Sequence, residues 1–324
     1  MKKILFISKG SDSVSTRYRA TDFFPLLELA GWQATHLTDR RTPLGRLNLL
    51  RQASQADVVV VVRRTFGPLF ASILRRVASR LIFTFDDAIF AKSDGSSSSG
   101  RARRFAATVA LCDAVWAGNS YLADKAKEFN GCVELVPTAL DVDRYAIEIM
   151  KPANSLDLVW IGSSSTKKHL LPVIPLLEEA AALIPKLRLK IIADFSIESE
   201  RLNVVPIPWS PESELRELLA SHIGIAPLPD NAFTRGKCGL KVLQYMAAGL
   251  PVISSAAGVN QELVDAGVSG FLVNSDQQWI EAIQNLADSA EQRVSMGKAG
   301  RQRCRDRFTL QAAFQKMLAT IDRT

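Results

Sequence analysis

The chain has little of what marks a metal site or a disulfide framework: 324 residues hold four cysteines and three histidines. Cys112, Cys132, Cys238 and Cys304 lie far apart with no C-x-x-C pair. His36, His169 and His222 form no pair at metal-ligand spacing. Zinc and disulfide readings therefore lack a basis, no metal is expected, and a reducing cytoplasm fits best. Aromatic residues are sparse at 7%, and no zinc-finger, RRM or helix-turn-helix pattern occurs, which argues against nucleic acid as a partner. Long apolar runs are missing too. No stretch approaches the roughly 18 residues that span a bilayer, and the run after Met1-Lys2-Lys3 covers only Ile4 to Ile7, too short for a secretory signal. Phosphate-loop motifs are absent: Lys3–Ser8 is followed by Gly10 alone, without G-x-G-x-x-G, and no G-x-x-x-x-G-K-[ST] is present. Nicotinamide oxidoreductases and P-loop ATPases are disfavoured.

What is present describes an ordinary globular chain, 47% apolar and 23% charged, long enough for two domains of about 150 residues each. Net charge is +7, nearly all of it carried by residues 1–150. Arg75, Arg76 and Arg80, with Arg101, Arg103 and Arg104, form basic clusters suited to an anionic membrane surface or a phosphorylated acceptor, or else to solvated helix faces.

Short apolar runs alternate with helical patterns from end to end, which predicts parallel sheets covered on both faces. Strands are expected at Lys3–Ser8, Gln33–Leu37, Val58–Val62, Leu81–Phe85, Ala114–Ala117 and Val133–Val136. Helices are expected at Arg19–Ala30, with Leu26, Leu27 and Leu29 on one face, and at Ala102–Leu111 and Tyr121–Phe129. The run Asp94-Gly95-Ser96-Ser97-Ser98-Ser99-Gly100 reads as a mobile loop. The pattern breaks at Lys151-Pro152-Ala153-Asn154-Ser155, taken as the linker. A second series follows: strands at Leu156–Ile161, Leu187–Ala193, Val204–Ile207, Ile223–Ala226, Pro251–Ser254 and Phe271–Val273, and helices at Leu170–Leu183, Glu212–Ala220, Leu240–Ala248 and Gln261–Asp265. The expected division is 1–150 and 151–308, with a C-terminal helix at about 309–324 packing back onto the first domain. Ligands of such domains bind at the carboxyl ends of the strands.

The most informative stretch is Arg235-Gly236-Lys237-Cys238-Gly239-Leu240-Lys241-Val242-Leu243-Gln244-Tyr245-Met246-Ala247-Ala248-Gly249-Leu250-Pro251-Val252. A basic, glycine-bearing loop enters a short helix, which suits a diphosphate. Glycines let backbone N–H groups approach an anion, the helix start adds its positive end, and Lys237 and Lys241 add full charges. A surface loop and an ordinary buried helix is the plainer alternative. Ser163, Ser164 and the helix start near Thr166-Lys167-Lys168 join this set, although a simple N-cap explains the serines equally well. Asp86 and Asp87 end an apolar strand, where paired acids usually mean a site. Arg17 and Arg19 follow the first strand and fall where acceptor phosphate or donor diphosphate is within reach. Arg63 and Arg64 end another strand, and Asn260-Gln261-Glu262 follows a strand of the second series.

The signature segment, with Gly258-Val259-Asn260 and Gly270-Phe271-Leu272-Val273, resembles glycosyltransferase family four, the retaining GT-B enzymes. Asp86-Asp87-Ala88-Ile89-Phe90, Gly118-Asn119-Ser120-Tyr121-Leu122, Val136-Pro137-Thr138-Ala139-Leu140-Asp141 and Trp160-Ile161-Gly162-Ser163-Ser164-Ser165-Thr166 extend the likeness to a bacterial branch of that family. The resemblance implies an α/β GT-B fold of two Rossmann-like, doubly wound domains facing across a cleft, with acceptor on the first and nucleotide sugar on the second. It implies metal-independent transfer of a hexose from a UDP- or GDP-sugar, with retention, to a glycan or lipid-linked acceptor in bacterial surface polysaccharide synthesis. No cofactor is implied. The expected location is the cytoplasm, with peripheral attachment to the inner face of the plasma membrane as an extension.

Two departures stand out. The family's donor-site glutamates fall at Gly236 and Gln244, and its phosphate arginine falls at Ser163, after Gly162. Arg235, Lys237, Lys167 or Lys168 must then supply the charge. Gly236, Lys237, Cys238, Gly239 and Leu240 are expected to turn N–H groups toward the β-phosphate and sugar, and Gln244 to meet ribose. Asp86, Asp87, Lys237 and Lys241 are the expected catalytic set, and Arg17, Arg19 and Arg63 the acceptor set. A non-catalytic nucleotide-sugar-binding or partner subunit, or a sugar-nucleotide epimerase, remains the alternative.

Overall fold

Uninterrupted apolar runs cannot be half exposed, and here each becomes a strand of a parallel sheet buried on both faces. The computed structural model describes residues 1–11 and 13–322. It contains two six-stranded sheets, in the orders β2-β1-β3-β4-β5-β6 and β12-β11-β10-β7-β8-β9. The first is built from β1 (Lys2–Ser8), β2 (Trp32–Thr38), β3 (Val58–Val62), β4 (Leu81–Phe85), β5 (Ala114–Ala117) and β6 (Val133–Leu135). The second comprises β7 (Leu156–Ile161), β8 (Leu187–Ala193), β9 (Asn203–Pro208), β10 (Ile223–Ala226), β11 (Val252–Ser255) and β12 (Gly270–Val273). Every recorded pairing in them is parallel.

The chain divides into two compact units. One holds Met1–Ala139, Asn231–Cys238 and the chain from Leu310 onward; the other holds Leu140–Asp230 and Gly239–Thr309. In the first unit, one sheet face packs Val59, Val61 and Phe83 against Leu49, Leu74 and Phe105. The opposite face packs Phe6, Val60 and Trp116 against Phe23, Leu27, Phe314 and Met317. The helix Leu310–Ile321 supplies the last two side chains, and its Thr320 hydroxyl accepts the Trp116 indole N–H at 2.7 Å. Residues 323 and 324 of the expected terminal helix lie outside the described residues. In the second unit, Leu158, Trp160, Ile191, Ile225 and Ile253 meet Leu177, Ile283 and Leu286.

The first unit ends at Ala139, ahead of the break at Lys151–Ser155. Leu140 donates its N–H to Phe308 O at 2.9 Å, and Tyr145 O accepts from Arg301 at 3.2 Å, so the approach to the linker already belongs to the second unit. Proline explains two further differences. The expected helix Arg19–Ala30 is instead a helix at Val14–Arg19, a 3-10 turn at Thr21–Phe23 and a helix at Phe24–Leu29 with Pro25 in its first turn; Leu27 is buried and Leu29 exposed. Leu170–Leu183 is likewise divided, with Pro172 and Pro175 opening a 3-10 turn and the helix Ile174–Leu183. Proline lacks the N–H an interior helical position needs but fits a first turn. Two helices were not foreseen, Pro43–Ser54 and Pro68–Val77, and both begin at proline. Within the Ser-rich run, Ser96 bonds Asp94 through its N–H and hydroxyl, and a helix starts at Ser99.

Candidate functional site

The signature segment crosses from one unit to the other between Cys238 and Gly239, so its residues fall into two groups.

In the second unit the helix Leu240–Ala247 begins at Gly239, whose φ of 65° is left-handed. That φ favours glycine, and a Cβ there would stand 2.3 Å from Leu263 Cδ1. The helix ends at Gly249 (φ 70°), with Leu250 N–H returning to Tyr245 O at 2.9 Å. Tyr245 is fully buried, and its hydroxyl accepts the N–H of Ile161 at 3.0 Å and donates to Ile225 O at 3.2 Å. It thereby fixes the carboxyl end of β7, from which Gly162 turns into Ser163–Thr166. A Cβ at Gly162 would be 2.2 Å from the Trp160 ring and 2.6 Å from Thr166 Oγ1. Lys241 Nζ lies 4.3 Å from the centroid of the same ring. Trp160 meets Phe195 edge to face at 5.7 Å, and Lys167 Nζ lies 5.0 Å from the Phe195 ring. Two ammonium groups thus gather on one aromatic pair beside the Gly162 turn, at the carboxyl edge of the sheet.

The turn's own donors are engaged. Ser163 N–H donates to Thr166 Oγ1 at 3.0 Å, and its hydroxyl meets that of Ser165 at 2.8 Å. Ser164 donates to Asp194 through both N–H (2.6 Å) and Oγ (2.9 Å), which holds the Asp194 carboxyl below the usual carboxylate range. Asp194 therefore sits where the Ser164 donors would otherwise face an anion. Lys168 follows Lys167 on the four-residue helix Lys167–Leu170. Gln244 is buried and donates its amide to Glu214 Oε1 at 2.8 Å, while the exposed Trp209 indole donates to Glu214 Oε2 at 2.7 Å. The Gln244 N–H₂ is thus aimed at Glu214, which adds a carboxylate beside the amide expected to meet ribose. Asn260 is also buried and donates to Ser254 Oγ at 2.8 Å.

In the first unit, Asp86 and Asp87 leave β4 and meet two cations. Arg63, just after β3, contacts Asp86 at 3.3 Å and makes short bonds to Asp87 and to the Ser15 hydroxyl. Ser15 Oγ donates to Asp86 Oδ2 at 2.9 Å. Lys237 Nζ contacts Asp87 Oδ1 at 2.9 Å and lies 4.8 Å from the Phe233 ring. Burial works against the Arg63 charge, but Asp86 and Asp87 more than offset it and raise its pKa. Its backbone is left-handed at φ 52°, a conformation that costs a non-glycine residue about 1–3 kcal/mol and that clusters at functional sites. The loop carrying Lys237 is tied down by Asn119, whose amide donates to Arg235 O (3.0 Å) and Lys237 O (2.9 Å). Gly236 allows the approach, since a Cβ there would be 2.6 Å from Ala88 N. Burial, then Asp86, pushes the Cys238 thiol well up, so it is no nucleophile.

The structure brings Asp86, Asp87, Arg63 and Lys237 together, and separately Gly162, Lys167 and Lys241. Arg19 needs correction as an acceptor residue: at 3% exposure it donates to Thr84 Oγ1, Val136 O and Trp116 O, a strut beneath the strand ends. Arg17 pairs with Asp22 at 3.5 Å, and Arg64 with Asp39. Ser15, Asp194, Glu214 and Trp209 were missed. Asp194 follows an apolar strand as Asp86 does, so the same strand-end criterion would have found it; Glu214 reads only as a helix-surface acid.

Residues 155–289 match the sequence model of the family described as Glycosyl transferases group 1. Spore coat protein SA of Bacillus subtilis (strain 168) is 32% identical over 83 residues, 25% of this chain and 22% of that protein. D-inositol 3-phosphate glycosyltransferase of Corynebacterium kroppenstedtii is 31% identical over 112 residues, 32% of this chain and 24% of that protein. The chain thus spans about a quarter or less of these relatives. Among solved structures, Anabaena Alr3699/HepE in complex with UDP is similar over 100% of both chains, with a TM-score of 0.71 at 15% identity. Sucrose-phosphate synthase from Thermosynechococcus elongatus is similar over 98% of both, with a TM-score of 0.73 at 16% identity. These likenesses identify the fold: two Rossmann-like domains of the GT-B type.

Proposed function

We propose that the protein is a glycosyltransferase that moves a hexose from a nucleoside-diphosphate sugar to a glycan or lipid-linked acceptor, with retention and without a metal, in the synthesis of a bacterial surface polysaccharide. One observation carries the reading. Lys241 and Lys167 converge on the Trp160–Phe195 pair beside the Gly162 turn, at the carboxyl edge of a parallel sheet, inside the segment that matches the group 1 transferase family. Cleaving a sugar–diphosphate bond leaves negative charge on the departing phosphate, and fixed cations stabilise that charge.

The other groups take consistent roles. Glu214, oriented by Gln244, supplies the carboxylate for ribose hydroxyls, a charge-assisted bond that Gln244 alone would forgo. The Asp86–Asp87 pair, held by Arg63 and Lys237, accepts a hydroxyl of the acceptor or the hexose. Alr3699/HepE has been solved with UDP-glucose, which makes UDP the first nucleotide to test.

The expected outcome is that UDP or GDP binds in calorimetry and that Lys241→Ala weakens binding by about 1–3 kcal/mol, the range for losing a charged hydrogen-bond partner. A chain that binds no nucleoside diphosphate sinks the transferase reading. A non-catalytic nucleotide-sugar-binding subunit is the second reading, favoured by Asp194 on the Ser164 donors. It predicts nucleotide binding with no release of nucleoside diphosphate from any sugar donor.

A further inference from the structure

From Arg40 to Phe85 the chain has nine arginines and one acid, Asp57. That acid is engaged at the foot of β3, where its Oδ2 accepts the Lys3 N–H at 2.6 Å. The two unforeseen helices, Pro43–Ser54 and Pro68–Val77, lie in this stretch and pack side by side, with Arg46 of the first stacked 3.9 Å above the Phe70 ring of the second. Their inner faces are satisfied: Leu49, Ala53, Ala71 and Leu74 enter the sheet core.

Their outer faces are not what a solvated helix presents. On the first helix, positions 44, 47 and 51 share one stripe; on the second, 69, 72, 73 and 76 do. These are Leu44, Leu47 and Arg51, and Leu69, Ser72, Ile73 and Arg76. Leu44 is 80% exposed, Leu69 78% and Leu47 66%, and Ile73 is exposed as well. Both helices run back from one parallel strand to the next, so they point the same way and their apolar first turns lie at the same end. Arg40 and Arg41 precede that end, and Arg51 and Arg76 follow it. No ion pair is recorded for any of these four among the described residues, and all four are exposed.

We propose that this outer helix pair docks onto an anionic lipid bilayer, with Leu44, Leu47, Leu69 and Ile73 entering the acyl boundary and Arg40, Arg41, Arg51 and Arg76 meeting phosphate headgroups. Charge complementarity selects the occupant. Four exposed guanidinium groups around exposed leucines, on two helices that carry no acidic residue, match a surface of dense negative charge over hydrocarbon. The arginines singled out from sequence further along contribute less: Arg75 is bound to Asp113, Arg80 to Thr320 O and Arg101 to Ala91 O. No helix among the described residues is long and apolar enough to cross a membrane, so the attachment proposed is interfacial.

The test is co-sedimentation of the full chain with vesicles of phosphatidylcholine alone and of phosphatidylcholine with one third phosphatidylglycerol. Binding to the anionic vesicles only is expected, and it should weaken with salt. The Leu47→Ser/Leu69→Ser variant should lower the partition about tenfold or more by removing inserted methylenes. Arg51→Gln and Arg76→Gln should each lower it roughly fivefold. These side chains are exposed, so the melting temperature should not change. Equal binding to both vesicle types, or undiminished binding by the leucine variant, overturns the proposal. So does a wild-type dimer in gel filtration that the leucine variant converts to monomer, because the face would then be a protein interface. Nucleotide titration without vesicles reads the transferase proposal separately, so either can fail alone.

Discussion

Replacing Tyr245 by phenylalanine removes one oxygen from the centre of the second unit, and the structure says what that oxygen does. Its hydroxyl accepts the Ile161 N–H and donates to Ile225 O. The recorded pairing between β10 and β7 covers Ile223 with Leu158 and Gly224 with Val159. Beyond it, the tyrosine joins the two strand ends from which the Gly162 turn and the loop after Ala226 depart. The variant leaves a buried N–H without its partner, which costs about 1–3 kcal/mol. For a unit of this size, each kcal/mol corresponds to roughly 2–4 °C in melting temperature. A mid-range loss therefore lowers the transition by about 4–8 °C. Scanning calorimetry measures it. Gly224→Ala should act on the same contact, since a Cβ there would be 2.4 Å from the tyrosine ring, and the two changes together should depart from additivity because they share one site. A Tyr245→Phe protein melting with the wild type would refute the reasoning, for the strand ends would then need no bridge.

Two further outcomes follow from charge. His222 Nδ1 accepts the Asp157 N–H at 3.0 Å, and burial, then the Lys151 charge, pulls the ring pKa down to about 4. The native state keeps the ring neutral while the unfolded chain takes a proton near 6.5, so the contribution is complete above about pH 6.5 and is lost as pH falls toward 4. With solvent screening the loss reaches about 1–2 kcal/mol; His222→Asn keeps an acceptor but does not titrate, and an unchanged acid slope of its melting temperature would refute the assignment. In the first unit, a double-mutant cycle of Asp87→Asn and Lys237→Met should give a coupling of about 0.5–3 kcal/mol in urea unfolding, and a value within about 0.3 kcal/mol of zero would dissolve the pair.

Strands were legible where both sheet faces are covered. Val58–Val62, Leu81–Phe85, Leu156–Ile161, Leu187–Ala193 and Ile223–Ala226 have the same bounds in sequence and structure, because a strand buried on both faces is largely apolar; the charged residues among them are paired, with Asp157 between Arg188 and Lys190. Of the two helices between β2 and β4, Pro43–Ser54 was illegible for the complementary reason: it carries leucine on its outer as well as its inner stripe, which erases the contrast that a 3.6-residue period depends on. Pro68–Val77 keeps a clear helical contrast and was legible in principle. Helical stretches containing proline were read as continuous because apolar spacing persists through Pro25, Pro172 and Pro175, while the backbone N–H that proline lacks is invisible to that spacing.

The signature segment changes direction at a single backbone angle. Lys237 and Lys241 are four positions apart, and on one helix they would share a face. The helix starts only after Gly239, whose φ of 65° is left-handed, and Lys237 is extended at φ −69° and ψ 144°. The four-residue spacing is therefore not a helical one. One ammonium group reaches Asp87 at 2.9 Å and the other lies on Trp160 at 4.3 Å. Glycine in a signature reads equally as a phosphate-hugging turn or as a change of chain direction, and only the side chain packed behind it decides. At Gly239 the left-handed φ changes the chain direction between the two lysines, and the proposed transferase assigns the donor charge to Lys241 with Lys167 and sets Lys237 beside the carboxylate pair.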